Sequence, residues 1–184
     1  AGSTLRWISG VFGISSEEAA EIAAQSKSDG VCLVPAFNGL GAPWWDSRAL
    51  GLISGLTLNT DKGALFAAAV ESIAHQVADV VDAMNASGVE VQRLLLDGGP
   101  SRNAKLREML SAYIAKPVVH CSDAELSALG VAHLAGVGAG IWDWDAIAKL
   151  QRAQTATDVS ERHAATQPER QRWAHAAAQS RLAR

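Results

Sequence analysis

Residues 94–103 read LLLDGGPSRN: an apolar run, an acid, a glycine pair, then a proline and a serine leading into a helical pattern. The apolar run predicts a buried strand, and SRNAKLREMLSAYIA (101–115) predicts a helix directly after it. A corner of this kind lets the backbone approach a ligand with no Cβ in the way, which suits Gly98 and Gly99. The helix start adds unpaired N–H groups and a partial positive charge. Pro100 fits the first turn, where its missing N–H is not needed. Asn103 lies four residues after Gly99, so both are expected on one side, with the amide available to a base or a ribose. The same spacing also serves a plain tight turn with a surface amide, and on spacing alone both readings stand.

Outward from this corner the pattern alternates. Before it, DKGALFAAAVESIAHQVADVVDAMNASG (61–88) predicts the longest helix, with Leu65, Ala68, Ala69, Ile73, Val77, Val80, Val81 and Met84 on one face and Gly88 as the stop. After it, PVVHC (117–121) predicts a strand, and SDAELSALGVAHLAGVGAG (122–140) a helix opened by a Ser122–Glu125 capping box. Nearer the start, residues 3–12 read as a helix end, and Ser15 with Glu18 as a capping box for a second helix that Ser28, Asp29 and Gly30 terminate. VCLVPAF (31–37) and LGLISGLT (50–57) predict strands, the second weakened by its glycines. Strand–helix–strand–helix order argues for an α/β layer architecture. The expected organisation is one domain over 1–150 followed by a charged, helical tail over 151–184.

The 184 residues suit one domain, and 48% of them are apolar, enough for a sizeable core. A net charge of -3 without charge runs argues against nucleic acid as a partner. The two cysteines and five histidines show no metal-ligand spacing. With no membrane-length apolar span or leader read in the sequence, a reducing, cytoplasmic compartment is expected. The chain begins AGSTLRW without methionine, which fits either processing or a piece of something longer.

Other motifs carry weaker signals. If AGSTLRW is helical, Gly2 and Arg6 repeat the four-residue spacing of Gly99 and Asn103; a solvated arginine at a helix start explains it equally. GLGAPWWD (39–46) is either an aromatic binding rim or a rigid loop whose tryptophans cap the core, and the second is preferred. If neighbouring residues alternate direction, one of Trp44 and Trp45 packs inward and the other faces out. Glu71 and His75, four apart on the long helix, are expected to be a helix-surface polar pair rather than acid and base or metal ligands. No GxSxG, Walker loop or HExxH occurs, so no catalytic residues and no metal ligands are assigned.

Four ordered blocks together resemble the C-terminal part of the FGGY family of carbohydrate kinases, and within it most of all the glycerol-phosphorylating members. They are LVPAFNGLGAPWWD (33–46), GLISGLTLNTDKGALFAAAVESIA (51–74), LLLDGGPSRNAKLREML (94–110) and SALGVAHLAGVGAGIW (127–142). The likeness runs from residue 1 to about 145. It departs at Ala64, where the family signature has a polar residue, at Arg6, where glycerol kinases carry a nucleotide-contacting glutamine, and in PSRN after the glycine pair. The resemblance implies an actin-like, ribonuclease-H-like ATPase fold, this chain being most of the second of two domains around a cleft. It implies that Gly2, Arg6, Gly98, Gly99 and Asn103 belong to the adenosine side of an ATP site, with Mg2+ as the accompanying ion. It implies a reaction that moves the ATP γ-phosphate to a hydroxyl of glycerol or a related polyol or sugar. It also places the catalytic aspartate, the polyol pocket and the phosphate hairpins in a preceding N-terminal kinase domain, so residues 1–184 alone are expected to be inactive. The faces left bare by that domain would invite association, including with a second copy. The competing reading is a non-catalytic actin-like module used for interaction or regulation.

Overall fold

The computed structural model describes residues 2–121, 126–150 and 154–182. The chain opens with two short helices, α1 (Gly2–Phe12) and α2 (Ser16–Gln25). The turn between them is set by Gly13 at φ +67° and by Ser15, whose hydroxyl accepts from the Glu18 N–H at 3.0 Å, as the capping box predicts. At the other end of α2 the Lys105 ammonium donates to the carbonyls of Ala23, which also accepts from the Ser26 N–H, and of Ser26. The predicted strands shrink to β1 (Cys32–Val34) and β2 (Leu52–Ser54), paired antiparallel with Leu33 opposite Ile53. Pro35, with no N–H to give to a ladder, ends the first.

The long helix, α3 (Lys62–Ala86), starts on Asp61, whose carboxylate accepts from the Ala64 N–H at 2.8 Å, and stops before Gly88 at φ +89°. It is buried on more than the one predicted face: Phe66, Ala67, Val70, Ala74 and Ala78 are enclosed as fully as Ala68, Ala69 and Ile73. Its alanines let α1, α2, α4 and β1 crowd against it. By length and composition this helix would pass for a membrane span, contrary to the expectation that no such span exists; its burial inside the protein identifies it as the core helix.

The glycine-pair segment folds as strand β3 (Leu94–Leu96), a 3₁₀ turn at Gly99–Arg102, then α4 (Ala104–Ile114). β4 (Val118–Cys121) pairs parallel to β3, with Leu95 opposite Val119. The helix α5 (Leu126–Gly138) follows; the Ser122–Glu125 capping box proposed for it lies outside the described residues. A short helix α6 (Trp144–Ala148) comes next.

The segment expected to be a helical tail is not wholly helical. Gln154–Thr157 forms strand β5, antiparallel to β4 with Ala156 opposite Val119. Its backbone completes the ladder on one side of β4, which polar side chains such as Gln154 and Thr155 do not prevent at a solvent-facing edge. Only after a second 3₁₀ turn does α7 (His163–Leu182) begin, and it packs on β1, β2 and α4. Two apolar clusters result. The larger gathers Ile8, Leu33, Phe66, Leu110, Tyr113 and Val118 around α3. The smaller joins Trp173, Ala176 and Ala177 of α7 to Val34, Ala36 and Leu40. Among the described residues β3 has no strand on its second edge, and its Leu95 stands exposed.

Candidate functional site

Four of the five residues named from the sequence meet in one cleft of about 550 Å³. Gly2 and Arg6 come from α1, Gly99 from the 3₁₀ turn and Asn103 from the residue before α4. Val70 and Ile73 of α3 supply an apolar wall, and Ser16 and Glu17 of α2 the facing rim. Gly98 does not line the cleft; its φ of +79° makes the turn that aims Gly99 into it. A Cβ built on Gly2 or Gly99 would meet no protein atom within 4 Å. Neither glycine is needed for internal packing, so what they keep open is the cleft itself.

The expected helical stacking of Gly99 and Asn103 is not how they come together. A 3₁₀ turn separates them, and Asn103 is the N-cap of α4, with φ -72° and ψ 110°. Its Oδ1 accepts from the Leu106 N–H at 3.1 Å, which fixes the amide and leaves its NH2 group and one oxygen lone pair for a ligand. The turn is held by Ser101, whose hydroxyl donates to Gly98 O at 2.6 Å, and by Arg107, which donates to Ser101 O at 2.7 Å. Sequence reasoning missed Glu17 and Arg102, which also line the cleft. The signal was the capping box at Ser15, since it turns the first residues of α2 back beside α1.

Glu71 and His75 do not form the expected surface pair. His75 is 4% exposed, with its ring centroid 4.6 Å from that of Tyr113 and 4.9 Å from that of Trp173. Arg170 reaches its Nδ1 at 3.2 Å and its carbonyl oxygen at 3.1 Å. Burial, reinforced by the Arg170 and Arg172 charges, pushes the imidazole down to about 3, so it stays neutral and accepts through Nδ1. Burial raises the Glu71 carboxyl despite a hydrogen bond from Ser28. One turn on, Asp79 accepts from Arg170 at 2.7 Å, from Trp173 Nε1 at 2.8 Å and from Trp44 Nε1 at 3.4 Å. His75 and Asp79 thus tie the tryptophan loop and α7 to α3 as a structural clamp, while Glu71, one turn before them, is held by Ser28.

The tryptophan loop follows the alternation expected of it. Trp44 is half-buried against the smaller cluster, with the Arg181 guanidinium 5.0 Å from its ring, while Trp45 is 80% exposed. The Ala42–Pro43 bond before them is cis. Among the described residues no three His, Cys, Asp or Glu side chains converge as a metal site.

Comparison with known proteins adds the following. Residues 10–139 match the family model described as FGGY family of carbohydrate kinases, C-terminal domain. A glycerol kinase of Rhodopirellula baltica is 39% identical over 98% of this chain and 34% of its own length. The crystal structure of Plasmodium falciparum glycerol kinase with ADP superposes with a TM-score of 0.78 at 30% identity, covering 97% of this chain and 37% of that one. A xylulose kinase structure from Brucella ovis gives 0.81 at 25% identity, over 95% and 37%. The chain thus spans about a third of the length of the curated relatives it matches.

Proposed function

The chain belongs to the FGGY family of carbohydrate kinases, as part of its C-terminal, actin-like domain, and from that premise we propose that the cleft between α1, α2 and the start of α4 is the adenosine side of an ATP-dependent polyol kinase. The observation that carries this is the meeting of Gly2 and Arg6 with Gly99 and Asn103 in one cleft. The apolar wall of Val70 and Ile73 suits a base. The N-terminal turns of α2 and α4 both reach the cleft through Ser16, Glu17 and Asn103, and helix N-termini favour anions. Gly99 leaves the space a ribose or phosphate needs.

The reaction we propose is transfer of the ATP γ-phosphate to a hydroxyl of glycerol or a related polyol or sugar. This chain contributes binding and orientation of the adenosine side of the nucleotide, one part of the positioning on which phosphoryl transfer depends. Proton removal from the hydroxyl falls to a preceding kinase domain: His75 is committed to Arg170 inside the clamp, and neither it nor Glu71, held by Ser28, lines the cleft. Residues 1–184 alone then give no turnover. The bare edge of β3, with its exposed Leu95, is a face that the preceding part of the enzyme would cover. We keep the cytoplasm as the compartment, on composition alone.

The test is Gly99→Val in the intact kinase. A branched side chain there meets open space, so the fold survives while the nucleotide is blocked. KM for ATP should rise at least about tenfold, the scale of 1.4 kcal/mol of lost binding. ATP kinetics equal to wild type in a well-folded variant would end this assignment.

A further inference from the structure

The turn that carries Gly99 is not favoured by its own sequence. Pro100 biases the residue before it toward extended backbone, yet Gly99 opens the 3₁₀ turn Gly99–Arg102 and must be helical. Gly98 and Gly99 both lack a Cβ, so the peptide between them can turn over at little steric cost. Left to local preference, the backbone at Gly99 would sample several orientations.

Two residues hold one of them. The Gly98 carbonyl accepts from the Ser101 N–H at 3.2 Å and from the Ser101 hydroxyl at 2.6 Å, which occupies both of its lone pairs. Ser101 is 3% exposed, so water does not compete for these bonds. The Gly98–Gly99 bond is trans, so fixing the Gly98 carbonyl also fixes the Gly99 N–H on the opposite edge of the same plane. The next anchor is Ser101 O, which accepts from Arg107 Nη1 at 2.7 Å. Arg107 reaches back from α4, past the Asn103 cap. Its Nε is buried without an acceptor, a cost that a solvated arginine would avoid. Among the described residues it makes no ion pair, so its guanidinium is committed to the turn. Gly99, Arg102 and Asn103 line the cleft, whereas Ser101 and Arg107 do not; they stand behind it.

We propose that Ser101 and Arg107 are positioning residues for the nucleotide: they lock the Gly98–Gly99 peptide and the 3₁₀ turn in the orientation that sets Gly99 and Asn103 for binding. This rests on the cleft being the nucleotide site and adds what keeps it formed before the nucleotide arrives. When only a fraction of molecules holds the turn closed, the apparent Kd rises by the inverse of that fraction, while molecules that have bound react as before.

The experiment is steady-state kinetics of the intact kinase and its Ser101→Ala, Arg107→Met and Arg107→Lys variants. Ser101→Ala should raise KM for ATP about fivefold, the factor that one net hydrogen bond carries. Arg107→Met, which keeps the stem and loses a charged donor, should raise it about tenfold or more. In both, kcat and KM for the polyol should stay within about twofold, the pattern of lost nucleotide binding alone. Arg107→Lys should recover part of the loss, because an ammonium can donate to the same carbonyl. The Ser101→Ala, Arg107→Met double variant should lose less than the product of the singles, since both hold one turn. Should Arg107→Met not fold, Ser101→Ala and Arg107→Lys carry the same test. An unchanged KM for ATP in the folded variants, even with lowered melting temperatures, overturns the proposal. So does a joint shift of kcat and both KM values, which is what a general loosening of the fold would give. Gly99→Val separates the two levels. If it raises KM for ATP and the positioning variants do not, only the lock falls; if it leaves KM unchanged, the cleft itself has been misread.

Discussion

Replacing Asp79 by alanine removes one carboxylate from a point where three donors converge. The pair it forms with Arg170 is nearly enclosed, at 8% and 12% side-chain exposure. Breaking such a pair costs about 3–5 kcal/mol, chiefly because the surviving charge is left buried. Two terms adjust that figure. Arg170 keeps Asp82 at 3.0 Å, and Asp82 is 61% exposed, which softens the loss. Trp173 is 1% exposed and loses its N–H acceptor, which adds about 1–3 kcal/mol. The sum stays near 4 kcal/mol. Asp79→Asn should recover only part of this, since every partner is a donor and the amide must turn its own donors toward one of them. Urea unfolding followed by tryptophan fluorescence gives the values, provided the slope m is unchanged. A double-mutant cycle with Arg170→Ala isolates the pair, and the coupling should exceed about 2 kcal/mol. A loss under about 1 kcal/mol for Asp79→Ala, or coupling near zero, would refute the picture of a clamp.

Trp44→Ala should cost about 2–3 kcal/mol, less than the 3–5 of a fully buried ring, and Trp45→Ala about nothing; equal melting shifts would contradict the assigned directions. Gly39→Ala places a Cβ 2.6 Å from Asp46 O and from Ser47 Cα at φ +80°, so a loss of about 2–4 kcal/mol is expected from strain and overpacking together, read by the same denaturant melts; a neutral variant would mean the loop is looser than described. His75 makes stability fall in mild acid. Its folded value of about 3 lies below the ordinary 6.5, so between those limits the unfolded chain binds a proton that the folded one refuses, and stability declines as pH drops. At pH 5 the loss is about 2 kcal/mol, and a His75→Gln variant should show that much less decline between pH 7 and pH 5.

The parts legible in the sequence are those whose causes are local. Ser15 with Glu18 announces α2, the DGG corner announces the end of β3, and Gly88 stops α3, each through contacts within a few residues. The cleft was legible by residue but not by mechanism: Asn103 faces it as an N-cap after a 3₁₀ turn, not as the next rung of a helix. β5 was hidden because QTAT has no apolar alternation and exists through pairing with β4. The clamp was hidden because its partners lie 91 to 95 residues apart. It had left one trace: Glu71, His75 and Asp79 repeat every four residues along a mostly apolar helix, and a polar stripe there asks for partners from elsewhere in the chain.

The separation of 91 residues between Asp79 and Arg170 also has a meaning in time. On a ribosome adding about 5–20 residues per second, α3 exists for roughly 5–18 s before the cation that closes its polar stripe has been made. During that interval Phe66, Val70 and the alanines of α3 can gather α1, α2 and α4, but the His75 and Asp79 end lies open to water. The nascent chain is then expected to pass through a state that is packed around α1, α2 and α4 and unfinished at the clamp. Arrival of Trp173 and Arg170 then acts as the last stitch, and an elongation pause placed before α7 would lengthen the period in which a chaperone can still hold the chain.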